Sequence, residues 1–215
     1  MKRKLMFILL PLVFIVIGIF FAIYYNIPRV TYSYNKKYDG YVVSEVYGNA
    51  SYYKIQSKFK DKDVVGIDTR AFMGKTGLEK IEFEDVTKIK YFGRLCFSEC
   101  INLKEIDLSY SSLIDKNAFY NCINLEEVNI GAYYINGGAF FGCNNLKKVT
   151  FTEGLTGVGS YAFAECKQLK ELYIPQNTAS IGNDCFINSS LTQLTVPLKF
   201  KSDNYISTLD YVVYY

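Results

Sequence analysis

Six phenylalanines set the frame of this chain: Phe72, Phe97, Phe119, Phe140, Phe163 and Phe186 follow one another at intervals of 25, 22, 21, 23 and 23 residues. Each brings the same companions. Five places earlier stand Ile67, Phe92, Ile114, Ile135, Val158 and Ile181, and six places later Leu78, Leu103, Leu125, Leu146, Leu169 and Leu191. Three further on come Ile81, Ile106, Val128, Val149, Leu172 and Leu194, and two beyond those Phe83, Leu108, Ile130, Phe151, Ile174 and Val196. A unit of some 22 residues is too small to enclose its own apolar face, so it can bury that face only by stacking on copies of itself. The spacing therefore predicts a β-rich solenoid, a repeat array of about six coils of 21–25 residues.

Within each unit, L-x-x-I-x-I alternates apolar and polar positions, as a half-buried strand does. The A/C-F-x-x-C segment on the other side of the coil reads as a compact turn or short helix whose Phe fills the space between coils. Six strands about 4.8 Å apart make a rod roughly 30 Å long.

The units VGSYAFAECKQLKELYIP (158–175) and IGNDCFINSSLTQLTVP (181–197) closely resemble the repeat I-G-x-x-A-F-x-x-C-x-x-L-x-x-I-x-I-P of the BspA-like, or treponemal, leucine-rich repeat family. In the second unit Ser189 replaces the Cys. Residues 38–72 are similar to the segment that leads into the first A-F in that family, so the resemblance covers about residues 38–197. The positions after the strand are Val86, Ser111, Tyr133, Gly154, Asn177 and Lys199, which gives no asparagine ladder of the better-known leucine-rich type. The resemblance implies cell-surface attachment and protein binding.

Residues 5–25, LMFILLPLVFIVIGIFFAIYY, carry no charge. A helix of that length spans roughly 30 Å, the thickness of a bilayer's hydrocarbon core. The run is longer than a signal peptide's apolar region and its exit lacks a small-x-small cleavage site, so a retained single-pass transmembrane anchor is expected. Lys2, Arg3 and Lys4 precede it, which puts the N-terminus in the cytoplasm and the repeat domain outside. The domain reading is a cytoplasmic tip over 1–4, the anchor over 5–25, a linker over 26–40, an N-terminal cap over 41–63, repeats over 64–197 and a C-terminal cap or tail over 198–215.

Charge and composition narrow the function. The net charge of +3 comes from Lys2, Arg3 and Lys4, which leaves 21 basic residues against 21 acidic. A neutral body gives no electrostatic reason to expect nucleic acid. The chain has no His, hence no common general base and no usual metal ligand. Cys100, Cys122, Cys143 and Cys166 share one row of the repeat, with Lys75 and Ser189 at its ends, while Cys96 and Cys185 fall in the small-residue row of Ala71, Ala118, Ala139 and Ala162. All six read as core spacers. Stacked equivalent positions point their Cβ atoms in parallel, which suits a disulfide poorly. No catalytic, cofactor or metal residue is expected, and no small-molecule substrate.

The residues between the inward strand positions are left free by the repeat. Glu105, Asp107, Glu127, Asn129, Lys148, Thr150, Glu171 and Tyr173 are expected to form two columns on the exposed strand face. They are the candidate contacts for a protein or an extracellular surface component. The competing reading is a structural scaffold that associates with itself or with an envelope complex.

Overall fold

The structure, a computed structural model, describes residues 28–215. The apolar run 5–25 lies outside the described residues, and among those described no helix is long and apolar enough to cross a membrane. The strands are β1 (Arg29–Asn35), β2 (Gly40–Tyr47), β3 (Tyr52–Ile55), β4 (Lys58–Phe59), β5 (Lys62–Ile67), β6 (Lys80–Phe83), β7 (Tyr91–Phe92) and β8 (Leu113–Ile114). They continue with β9 (Glu127–Ile130), β10 (Tyr134–Ile135), β11 (Lys148–Phe151), β12 (Gly157–Val158), β13 (Glu171–Tyr173), β14 (Ser180–Ile181), β15 (Gln193–Val196) and β16 (Val212–Tyr214).

The Ile row five places before each Phe builds the longest sheet, in the order β1-β2-β5-β7-β8-β10-β12-β14. From β2 onward its strands are parallel, and Ile67, Phe92, Ile114, Ile135, Val158 and Ile181 register on one another. These residues point inward and are buried. Sequence periodicity gives one strand per unit, and the fold has two. The second is only two residues long from β7 onward, too short to show any alternation.

The L-x-x-I-x-I segments form the other face. β3 pairs with β6, β9 with β11, β13 with β15 and β15 with β16, all parallel. Isolated bridges Lys80↔Glu105 and Glu105↔Glu127 carry the stack through the third rung. Tyr53 registers on Ile81 ahead of the six repeat rungs, and Val212 registers on Leu194 after them. The solenoid thus has about eight turns rather than six. The two extra rungs come from segments, 52–55 and 212–214, that lack the Phe and Leu of the repeat.

The A-F-x-x-C segments are compact turns and not short helices, which decides between the two readings of the sequence. Two places before and two places after each Phe the backbone takes a positive φ, at Arg70 and Gly74, Leu95 and Glu99, Asn117 and Asn121, Gly138 and Gly142, Tyr161 and Glu165, Asp184 and Asn188. With these left-handed residues every second N–H group turns to the same side, while those between bond back within the turn, as Ala71 does to Asp68 and Met73 to Arg70. Here that side faces the next coil. Phe72 N–H donates to the Cys96 carbonyl (2.8 Å), Phe97 to Ala118 (2.8 Å), Phe119 to Ala139 (2.7 Å), Phe140 to Ala162 (2.8 Å) and Phe163 to Cys185 (2.9 Å). The residues two places on donate in the same way, as Glu99 does to Tyr120 and Asn121 to Phe141. A continued helix would spend these donors inside its own turn. Only short 3₁₀ segments occur among the described residues, at Val86–Lys88, Leu198–Ser202 and Ile206–Thr208.

The Phe rings stack through the core. Centroids lie 4.8, 5.3, 5.1, 5.3 and 6.4 Å apart from Phe72 to Phe186, with interplanar angles no larger than 16°. Both ends of the stack are closed by tyrosine. Tyr53 meets Phe72 edge-on at 5.5 Å, and Tyr205 stacks on Phe186 while its hydroxyl accepts the Phe186 N–H at 3.0 Å. That N–H has no further coil to donate to, so Tyr205 closes the ring stack and the hydrogen-bond ladder together.

The expected linker over 26–40 is largely structured. Residues 29–35 form β1, antiparallel to β2, which covers the first parallel strand. An alternating stretch such as VTYSY packs Val30 and Tyr32 against the core and gives β2 a hydrogen-bonded neighbour.

Phe119 is wholly buried between two parallel rings, so Phe119→Ala is expected to lower stability by about 3–5 kcal/mol. Tyr120→Ala, at the partly buried neighbouring position where the ring stacks on Phe141 outside the core, is expected to cost clearly less, about 1 kcal/mol. Urea unfolding followed by far-UV circular dichroism compares the two.

Candidate binding face

The eight residues singled out in the sequence all stand on the exposed side of the L-x-x-I-x-I stack. Glu105, Glu127, Lys148 and Glu171 form one column, in line with Lys80. Asp107, Asn129, Thr150 and Tyr173 form the second, continued by Thr195 and Val213. Strand alternation fixes this placement, because Ile106, Val128, Val149 and Leu172 between them are buried.

Most of the charged members face one another across rungs. Lys80 Nζ lies 2.6 Å from Glu105 Oε1, and Lys148 Nζ lies 3.9 Å from Glu127 Oε2. Thr150 Oγ1 is 3.0 Å from Asn129 Oδ1. Asp107 accepts from the N–H and hydroxyl of Ser109, at 2.9 and 2.6 Å, and so holds its own strand's exit turn. That local bond competes with a regular ladder, and the third rung has only isolated bridges. A neighbouring column adds Lys104–Glu79 and Lys147–Glu126, at 2.8 and 2.9 Å. All these pairs are exposed and screened by solvent, so each contributes little to stability.

A shallow depression of about 490 Å³ lies among Lys80, Glu82, Glu105, Asp107, Ser109 and Asn129. Its carboxylates are all engaged. The Tyr52 hydroxyl, then Lys54, hold Glu82 below the usual carboxylate range, Glu105 holds the Lys80 ammonium above its usual range, and Asp107 is bound to Ser109. The lowered range keeps Glu82 ionised near neutrality. Among the described residues no group of three or more Cys, Asp or Glu converges as a metal site.

The face changes character along the rod. Beyond Lys148 it turns uncharged and aromatic apart from Glu171: Tyr173 stacks on Tyr215 at 5.1 Å, and both rings are nearly half exposed. Tyr215 Oη donates to the Ile174 carbonyl at 2.9 Å, which fixes the pair to the strand. Sequence reading found Tyr173 and missed its partner, because Tyr215 and the exposed Val213 lie on a terminal rung that does not carry the repeat.

The cysteine row has a structural task that its spacing did not reveal. All six thiols are free and buried. Cys100, Cys122, Cys143 and Cys166 each direct Sγ to the carbonyl of the Phe one coil back, namely Phe72, Phe97, Phe119 and Phe140, at 3.0, 3.1, 3.2 and 3.4 Å. At the row's start Lys75 Nζ reaches the Gly48 carbonyl at 2.7 Å. At its end the Ser189 hydroxyl is buried without a partner, since the shorter C–O bond does not span the gap a sulfur spans.

Two parallel strands per turn and a stacked Phe row define a β-solenoid of the leucine-rich repeat class. The chain belongs to the BspA-type leucine-rich repeat family, whose sequence profile matches residues 45–132 and 112–207 in six copies. Its fold is similar to that of a leucine-rich repeat protein of T. pallidum (TM-score 0.54, 21% identity, covering 78% of this chain and 68% of that one). It is similar to a leucine-rich cell surface protein of Faecalibacterium prausnitzii (TM-score 0.62, 22% identity, 77% and 52%). A leucine-rich repeat protein of Eubacterium ventriosum is a further neighbour (TM-score 0.59, 18% identity, 81% and 54%). The chain spans about half the length of the latter two, and at these identities the likeness is one of fold. Among curated proteins none matches it.

Burial holds the thiols protonated: Cys100 and Cys166 are pushed up to about 12, and Cys122 and Cys143 lie well above their ordinary value. An unfolded thiol ionises near pH 8.5. Below that pH both states keep the proton and stability is undiminished; above it the unfolded chain releases protons that the fold retains, and stability falls. The expected loss is up to about 1.4 kcal/mol per pH unit per thiol. Urea unfolding in reductant from about pH 7 to about pH 9.5, below the tyrosine range, measures this slope. Cys122→Ala is expected to flatten it by one thiol's share.

Proposed function

We propose that this chain is a membrane-anchored surface protein whose repeat domain binds a protein or another extracellular surface component without catalysis. The observation that carries the reading is the division of labour within each coil. Inward rows are occupied by apolar residues and thiols that the stack requires, while the outward strand columns hold Glu105, Asp107, Glu127, Asn129, Lys148, Thr150, Glu171 and Tyr173, whose identities the coil does not dictate. Membership of a family of repeat modules supports a binding role, and so does the repeat architecture itself, which presents an extended surface. Residues 5–25 supply the anchor, and Lys2, Arg3 and Lys4 ahead of them set the N-terminus inside and the repeats outside.

The test is attachment of cells that display the full chain to immobilised extracellular-matrix proteins, compared with a variant carrying Glu105→Ala, Asp107→Ala, Glu127→Ala and Tyr173→Ala. Truncation of contact residues at the centre of an interface is expected to weaken attachment by about tenfold or more, with the melting temperature little changed. Equal attachment by both chains would exclude this face.

A further inference from the structure

The first strand begins at Arg29, and the apolar run ends at Tyr25. Four Cα steps separate them, a reach of at most roughly 14 Å. A linker this short leaves the repeat domain little distance from a bilayer that holds residues 5–25. β1 is the first strand of the sheet that runs the length of the solenoid, so the end of the rod, and neither of its sides, is what the tether draws to the surface.

That end has the composition an anionic surface selects. The β1–β2 turn carries Lys36 and Lys37, β4 carries Lys58 and the β4–β5 turn carries Lys60, all exposed. The two turns are held together by Lys62, whose Nζ lies 2.6 Å from Asp39 Oδ1, and by Phe59, which stacks on Tyr32 at 4.7 Å and meets Tyr41 edge-on at 4.9 Å. Nearby acids are mostly committed: Asp39 to Lys62 and Tyr34, Asp63 to Lys88, Glu45 to Tyr47. Asp61 is the exposed exception. Among the described residues none of the four lysines has a carboxylate within ion-pair distance; Lys37 lies over the Tyr38 ring and Lys60 over Phe59. Elsewhere on the rod, the lysines of the strand columns are paired across rungs. Amphipathic tyrosines beside unpaired lysines are the residue types that settle at headgroup depth.

We propose that the N-terminal end of the solenoid docks on anionic phospholipid headgroups through Lys36, Lys37, Lys58 and Lys60, so that the rod stands upright on the membrane. This rests on the anchored reading above. Docking turns a tether into a fixed orientation: the strand columns run away from the bilayer, and Tyr173 and Tyr215 lie at the far end.

The experiment reconstitutes the full chain into vesicles of phosphatidylcholine alone or with phosphatidylglycerol, labels lysines with a membrane-impermeant acylating reagent and reads each site by mass spectrometry. Lys201, at the opposite end and exposed, is the internal standard. Reactivity at Lys36, Lys37, Lys58 and Lys60 relative to Lys201 is expected to fall about fivefold when phosphatidylglycerol is present and to recover in about 1 M salt, where screening is strong. Vesicle-bound protein whose four lysines react like Lys201, or are protected equally in both lipids, overturns the docking and leaves the anchor in place. Protein that does not stay with the vesicles overturns both readings.

Discussion

Each coil is bound to the next through the N–H groups beside its Phe, and the rest of the molecule follows from that contact. To aim those N–H groups along the rod, the backbone must alternate handedness at two residues per coil, including bulky ones such as Leu95 and Tyr161. Left-handed conformations cost roughly 1–2 kcal/mol for a residue with a Cβ. They persist because each coil regains inter-coil hydrogen bonds, at 2.7–3.1 Å, around a ring pinned between two others. The close approach leaves no room elsewhere on the coil: a Cβ on Gly131 would stand 1.9 Å from the Ser109 carbonyl oxygen, and one on Gly182 2.2 Å from the Ser160 nitrogen.

The same contact explains why sulfur recurs at one position. Closing the turn with an N–H bond from the Cys to the Phe of its own coil, as Cys122 does to Phe119, points the Cys side chain back at the preceding coil's Phe carbonyl. A thiol is apolar enough to sit in the core and long enough to touch that oxygen. A methyl group would leave that carbonyl with only the N–H bond from its own coil, and the Ser189 hydroxyl has no partner. The row is therefore structural, and its raised pKa values follow from burial, with no activation of the thiolate.

How much of this could be read from the chain depends on whether the signal repeats. The Phe, Ile and Leu rows recur six times, so the solenoid, its inward residues and the exposed placement of Glu105 through Tyr173 were legible. The alternating handedness was only partly so: Gly74, Asn117, Asn121, Gly138, Gly142, Asp184 and Asn188 carry the residue types that favour it, but Arg70, Leu95, Glu99, Tyr161 and Glu165 interrupt the pattern in half of the coils. The ends were the least legible. A terminal rung has one neighbour instead of two, so it is built from whatever closes the stack: an edge-on Tyr53, a hydroxyl from Tyr205, an ammonium from Lys75. β1 was read as linker for the same reason, as its partner β2 carries no repeat motif.

An upright rod gives the two halves of the strand face different surroundings. In the orientation we propose, the ion-paired rungs from Lys54 to Lys148 would lie toward the bilayer, where their mutual pairing leaves few charges to compete for headgroups. The rungs from Tyr173 onward lie outermost, and they exchange cross-rung ion pairs for a stacked tyrosine pair, Thr195 and the exposed Val213. Aromatic side chains with a polar tip lose little entropy on contact and concentrate binding energy, whereas an exposed ion pair must be broken or shielded before its members can serve a partner. Energetic weight in recognition therefore shifts toward Tyr173 and Tyr215, and the charged columns below them act on orientation and encounter. That order would follow from the proposed tether, which makes the lysines at one end and the tyrosines at the other parts of one arrangement.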